Sequence, residues 1–339
     1  MTLALAASLG ALASPAAAQG AAEKKPAHHT KSESKPEPTT TPTPDTPATP
    51  AANPNAPPPD LAYGAFQRGH YLEAFAHATD NVNKKGDPKA MTLLGELYAN
   101  GLGVPQNDAR AAQWYKLAAA RGDREAIFAL AMLDLQGRNG PRDRAASAKL
   151  FADAAKLGHP LAAYNLALLY IEGQLFPQDF ARAAELFRQA ADAGNPEAQY
   201  ALGTFYKEGR GVPKDMTIAV KLWAQASLAD NVDAEVEYAI ALYNGDGVAR
   251  NEQAAAAWFR RAAVKGSAIA QDRLARILST GRGAPLNPVE ATKWHIISRA
   301  RGETNLELDD YVGKLDPKTR AEGEKAAKIW LDALKRPGS

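Results

Sequence analysis

Three groups of residues have types and spacing that chemistry could use: His70, Glu73 and His77; the glycine pairs typified by Gly101-x-Gly103; and Asn244-Gly-Asp246-Gly247. The first group sits at i, i+3 and i+7, so its members share one face of a helix. Metal binding needs a further ligand and a closed outer shell, so a solvated helix face is the simpler expectation. The glycine pairs lack the third glycine, the following Lys-Ser/Thr and the preceding strand of a phosphate loop. The Asn244 segment lacks the spaced carboxylates and twelfth-position glutamate of a calcium loop. No H-E-x-x-H or G-x-S-x-G motif is present. Asp309 and Asp310 are adjacent, and neighbours on a helix do not converge. With no cysteine in the 339 residues, thiolate nucleophiles, thiolate-ligated metals and disulfides are excluded. No catalytic residue, metal site or cofactor is expected. His159 falls at a helix start and His295 at an apolar position, so capping and packing are the expected roles.

Charge adds little. The chain carries 40 basic and 38 acidic side chains, a net +2, and no basic stripe that would steer it to nucleic acid or an acidic membrane. Leu3 to Ala18 is a short apolar run ending in Ala16-Ala17-Ala18 before Gln19, a small-x-small pattern suited to signal cleavage, although no Lys or Arg precedes it. Export to the periplasm is the expectation, with no integral membrane span in the mature chain. The alternative is a cytoplasmic protein with an Ala-rich leader. Residues 19–60 hold 11 of the 23 prolines and almost no apolar bulk. Such a stretch reads as a disordered Pro/Thr-rich linker.

The elements that would position any site are repeats of 36 residues without a slip. From Gly86 the series runs Gly122, Gly158, Gly194, Asp230, Gly266 and Gly302. From Ala90 it runs Ala126, Ala162, Ala198, Ala234 and Ala270. From Leu94 it runs Leu130, Leu166, Leu202, Tyr238 and Leu274, and from Gly101 it runs Gly137, Gly173, Gly209, Gly245 and Gly281. The Gly86 series ends one helix in the left-handed conformation. The residues that follow it, Asp87, Asp123, His159, Asn195, Asn231, Ser267 and Glu303, are placed to cap the next helix. The Gly101 series ends the first helix of each hairpin, helix A. Asn107, Asp143, Asp179, Asp215, Asn251 and Asn287 then cap the second, helix B. Paired alanines such as Ala154-Ala155 permit close helix approach. A lone hairpin cannot bury its apolar face, so the hairpins must stack.

The repeat A-x3-L-[GA]-x2-Y-x2-G-x-G-V, followed by D/N, A and an aromatic pair, resembles the Sel1-like repeat, a relative of tetratricopeptide repeats. The resemblance is best over Ala90–Ala126 and Ala198–Ala234, and weakest where Asn139 and Leu175 replace the second loop glycine. It implies an all-α fold: a right-handed α-solenoid of about six 36-residue hairpins over residues 90–305. A capping hairpin (61–89) and capping helices (306–339) are expected at the ends. The N-terminal hairpin is expected to cover the first repeat with Tyr63, Phe66, Tyr71, Leu72 and Phe75, and the last helix to pack with Ala326, Ile329, Trp330 and Leu334.

By analogy with tetratricopeptide repeats, helix A lines a concave groove. One inward series reads Thr92, Phe128, Tyr164, Tyr200, Val236 and Asp272. The next reads Glu96, Met132, Leu168, Thr204, Ile240 and Arg276. The candidate ligand groove is therefore Phe128, Met132, Tyr164, Leu168, Tyr200, Thr204, Val236 and Ile240, apolar at its centre and polar at its ends. Packing of the aromatic members inside the stack is the alternative. The resemblance implies a non-catalytic scaffold or regulator of the bacterial cell envelope that binds a protein partner, as a peptide or helix. A peptidoglycan or muropeptide module is the second reading. A β-lactam or cell-wall hydrolase is a remote third, since the disulfide-stapled hairpins of the relatives linked to that activity are absent.

Overall fold

A computed structural model describes residues 60–334. The expected signal segment, and the linker up to residue 59, lie outside the described residues. Asp60, the last residue assigned to that linker, is the N-cap of the first helix and accepts from the Ala62 and Tyr63 amides.

Sixteen helices and no strand occur among the described residues. Helices α1 (Leu61–Gln67) and α2 (Tyr71–Lys85) form the N-terminal hairpin. The repeats are α3 (Pro88–Asn100) with α4 (Asp108–Ala119), α5 (Arg124–Gln136) with α6 (Arg144–Lys156), and α7 (Pro160–Glu172) with α8 (Phe180–Asp192). They continue as α9 (Pro196–Glu208) with α10 (Met216–Leu228), α11 (Val232–Asn244) with α12 (Glu252–Val264), and α13 (Ala268–Thr280) with α14 (Pro288–Arg299). Helices α15 (Leu306–Gly313) and α16 (Pro317–Leu334) follow. Each repeat helix packs on the one before and the one after, so the fold is an all-α solenoid.

The caps form as the sequence requires. At helix A, Asp87, Asp123, His159, Asn195, Asn231 and Ser267 each accept from an amide two or three residues on. At helix B, Asn107, Asp143, Asp179, Asp215, Asn251 and Asn287 do the same. Each such cap is worth about 1 kcal/mol. The series breaks once: Asn305, not Glu303, caps α15, with its side chain accepting from the Leu308 amide. Glutamate, one methylene longer than aspartate, is not a favoured cap. Asp230, standing in the glycine series, takes φ 66° and is the only non-glycine with positive φ among the described residues. Its carboxylate accepts from Lys265 and Arg261, which hold its pKa down to about 2. The same two cations reach Glu235, which is fully buried, at 2.7 and 2.6 Å.

The second loop glycines do more than end a helix. A Cβ on Gly211 would lie 2.1 Å from the Phe180 carbonyl oxygen, and one on Gly247 2.5 Å from that of Met216. The loop thus presses on the first turn of helix B in the preceding repeat. Where Asn139 replaces this glycine, Arg138 bridges the same step with a two-pronged contact to Asp108, at 2.6 and 3.2 Å.

The core is a ladder of rings. Tyr115, Phe151, Phe187, Trp223, Phe259 and His295 recur every 36 residues and are all buried. Across from them helix A offers a small residue: Gly95, Ala131, Ala167, Gly203, Ala239 or Ala275. Glycine stands where the ring is largest at its tip. A Cβ on Gly95 would meet the Tyr115 ring at 2.5 Å, and one on Gly203 the Trp223 ring at 2.6 Å. Alanine suffices against phenylalanine or histidine.

Both ends differ in detail from the sequence expectation. Phe66, Tyr71 and Phe75 pack against the first repeat, but Tyr63 and Leu72 are exposed. α16, rather than the short α15, packs along α14. It does so through Gly323, Ala327, Trp330 and Leu331, while Ile329 and Leu334 face solvent. Gly323 sets that face, since a Cβ there would lie 2.5 Å from Thr292.

Gly203→Ala should therefore destabilise the protein by about 1–3 kcal/mol through overpacking, although alanine is ordinarily the better helix former. Adding Trp223→Phe should recover part of the loss, because Ala faces Phe in three other repeats. Urea denaturation of the two single variants and the double variant checks this. Additive losses would disprove the size match.

Candidate functional site: the helix A wall

The wall is built from the two inward series of helix A. Phe128, Met132, Tyr164, Leu168, Tyr200 and Ile240 are half-buried. Thr204 and Val236 are buried, 7% and 6% exposed. The Thr204 hydroxyl donates to the Tyr200 carbonyl of its own helix, so these two support the wall from beneath. The expected choice between groove and core does not divide the aromatic residues into two classes. Phe128 tilts on Phe151 at 5.8 Å and Tyr164 on Phe187 at 5.5 Å. One side of each ring rests on the core ladder and part of it remains open to solvent. Burial raises the Tyr164 hydroxyl pKa and pushes that of Tyr200 up to about 12, with Asp233 and Glu237 adding to the latter. Both are neutral donors at physiological pH.

The first inward series also meets the cap of the next repeat. Thr92 donates to Asp123 at 3.1 Å, Phe128 stacks on the His159 ring at 4.3 Å, and Asn305 donates to Asp272 at 2.7 Å. His159 is buried, and its Nδ1 accepts from the Ala162 amide. The proton of the neutral ring is then on Nε2, which donates to Glu125 at 2.9 Å. That bond holds the Glu125 carboxyl below its ordinary value. His295 is likewise packed, with Nε2 against Asp309 at 2.9 Å, which ties α15 to α14. His70, Glu73 and His77 do share one face, with Glu73 between the two histidines. No group of three His, Asp or Glu side chains among the described residues is placed to hold a metal ion. The Asn244 segment is an ordinary connection from α11 to α12, in which Asn244 donates to Asp246.

Toward the last repeats the wall opens into a pocket of about 260 Å³ between α11 and α13. Ile240, Tyr243, Arg273, Arg276, Ile277 and Arg282 line it. Ile240 and Arg276 were legible as inward-facing from the repeat register. Tyr243, Arg273 and Arg282 were not. They fall at other repeat positions: Arg273 shares a face of α13 with Arg276, and Tyr243 a face of α11 with Ile240, and the packing of neighbouring hairpins brings the two faces together. The available signal was the appearance of Arg273 where earlier repeats carry Leu93, Ala129, Asn165, Ala201 and Glu237.

A family pattern described as the Sel1 repeat matches residues 88–123, 124–159, 160–195, 196–231, 232–267 and 268–302 in unbroken succession. The chain belongs to the Sel1 repeat family. Among solved structures, a Sel1 repeat protein from Oxalobacter formigenes is 26% identical, with a TM-score of 0.60 over 73% of this chain and 100% of that one. A protective antigen of uropathogenic Escherichia coli with an SLR fold is also 26% identical. Its TM-score is 0.54 over 80% of this chain and 67% of that one. No match was found among curated proteins. Sel1 repeat proteins generally mediate protein–protein interaction, and their scaffold is generally non-catalytic. No helix among the described residues is long and apolar enough to cross a membrane.

The Glu125–His159 contact gives a pH test. A carboxyl whose pKa is depressed on folding adds stability above its unfolded value, near 4.5, and loses that contribution as pH falls through the folded value. The native protein should be more stable than Glu125→Gln at pH 6, and the difference should shrink as the pH is taken below about 4. Urea melts across that range measure it. A pH-independent difference would show that the carboxylate charge is not what the contact uses.

Proposed function

We propose that this Sel1 solenoid is a non-catalytic interaction scaffold of the bacterial cell envelope, holding a protein partner as a peptide or helix along the helix A wall. The observation that carries the reading is the aromatic strip Phe128, Tyr164 and Tyr200. Its rings recur every 36 residues and are half-open to solvent, and the first two are braced on the core ladder. Such rings present apolar area without losing further side-chain freedom on binding, which suits a recognition surface. Met132 and Leu168 extend the strip, and polar groups flank it. An apolar centre with a polar rim favours a peptide or an amphipathic helix over a sugar polymer. The envelope assignment rests on the N-terminal apolar run and the Pro/Thr-rich stretch after it.

Affinity capture from envelope extract tests this, with the native protein beside a Phe128→Ala, Tyr164→Ala, Tyr200→Ala variant checked for unchanged helicity. A protein held by the native chain and lost by the folded variant is the expected result. Equal recovery by both would place the site elsewhere. Retention by purified sacculi, with no protein recovered, would favour the peptidoglycan reading.

A further inference from the structure

We propose that the pocket between α11 and α13 is a carboxylate site that receives an acidic side chain from an extended segment of the bound protein. The inference rests on the wall being a protein-binding surface and names the chemistry of one part of its partner.

The lining holds three guanidinium groups and no carboxylate. Arg282 is occupied: it donates to Glu252 at 3.0 Å and lies over the Tyr243 ring. Glu252 is also taken by Arg250. The Arg276 guanidinium has one protein partner, at 2.9 Å, a Glu307 side chain that is 79% exposed. Arg273 forms no ion pair among the described residues, although it is one of the lining groups. A guanidinium carries five N–H donors in a planar fork that matches the two oxygens of a carboxylate. Both are exposed, so most of the donors of Arg273 and Arg276 face solvent and no protein partner.

The repeats themselves show that these arginines are not needed by the fold. The Arg276 position is Glu96, Met132, Leu168, Thr204 and Ile240 in the other repeats, and none of the positions equivalent to Arg273 is basic. Five hairpins close without them. By contrast, Arg138 and Arg210 stand at the Arg282 position, and Arg138 pairs with Asp108 as Arg282 pairs with Glu252. Beneath the cations the floor is apolar, with Ile277 and Phe259 buried. That floor suits the methylenes that carry a side-chain carboxylate. Phosphate is the poorer fit. Arginines hold phosphates as well as carboxylates, but α11 presents its last turn here, and the negative end of a helix disfavours a dianion more than the single charge of a carboxylate. At about 260 Å³ the pocket is smaller than the ~300–1,000 Å³ that encloses whole small-molecule ligands, so a side chain is the fitting guest.

The test uses the full chain, immobilised, and three N-acetylated random heptapeptide pools. One has a central Glu and an amidated end. The second has a central Gln and an amidated end. The third has a central Gln and a free C-terminal carboxylate. Retention of the Glu pool about tenfold above the Gln pool is expected from a charge-assisted contact. Arg273→Gln with Arg276→Gln should abolish the preference. Arg121→Gln, which removes an exposed guanidinium bonded to the Leu117 carbonyl of α4, should keep it. Equal retention of the first two pools, no retention of either, or a preference that survives the double variant would each overturn the proposal. Retention of the third pool alone would also overturn it, by assigning the pocket to a chain end. Loss of the pocket preference with normal partner capture by the aromatic strip would remove this inference and leave the scaffold reading standing.

Discussion

In each of the six repeats a ring on helix B lies against a helix A residue with little or no side chain. At Gly95 and Gly203 no Cβ fits at all, because Tyr115 and Trp223 occupy the space it would need. This contact sets the separation of the two helices, and the rest of the architecture follows from it. Helices this close must be joined by short connections, so chain reversal falls to left-handed glycines and to side-chain caps that satisfy free amides. The rings, repeated along the stack, supply apolar area that no single hairpin could bury alone.

The wall depends on the same contact. Phe128 and Tyr164 hold their orientation because each leans on a ladder ring, Phe151 or Phe187. A surface ring braced in this way is part of the core on one side and a recognition element on the other. Packing and binding are therefore not alternatives for these residues. His159 shows the economy of the arrangement: one buried imidazole caps α7, bonds Glu125 across the repeat junction and stacks on Phe128.

Because each repeat touches only its neighbours, its outward chemistry can change without disturbing the fold. The second and third repeats use that freedom for aromatic and aliphatic groups, and the sixth for Arg273 and Arg276. Departures inside the frame are compensated locally. Asp230 replaces a glycine and is held by Arg261 and Lys265. Asn139 replaces another, and there Arg138 bonds Asp108 of the preceding repeat.

The hairpins, their caps and the ladder can be read from the residues, because they are set by contacts within a repeat or between one repeat and the next at constant spacing. A period with no insertion makes every such residue legible: Asn107 predicts Asn287, and Tyr115 predicts Trp223. The two inward series were legible for the same reason. Which members of those series lie open came from packing: on one helix Thr204 is buried and Tyr200 is half-open. It decided the end faces as well: Ile329 and Leu334 have the composition of a core yet face water, while Gly323 marks the true contact. It also assembled the arginine pocket, whose members come from different repeat positions. Periodicity encodes what equivalent residues do alike. The offset between stacked hairpins brings inequivalent residues together, and that offset is a property of packing, not of spacing.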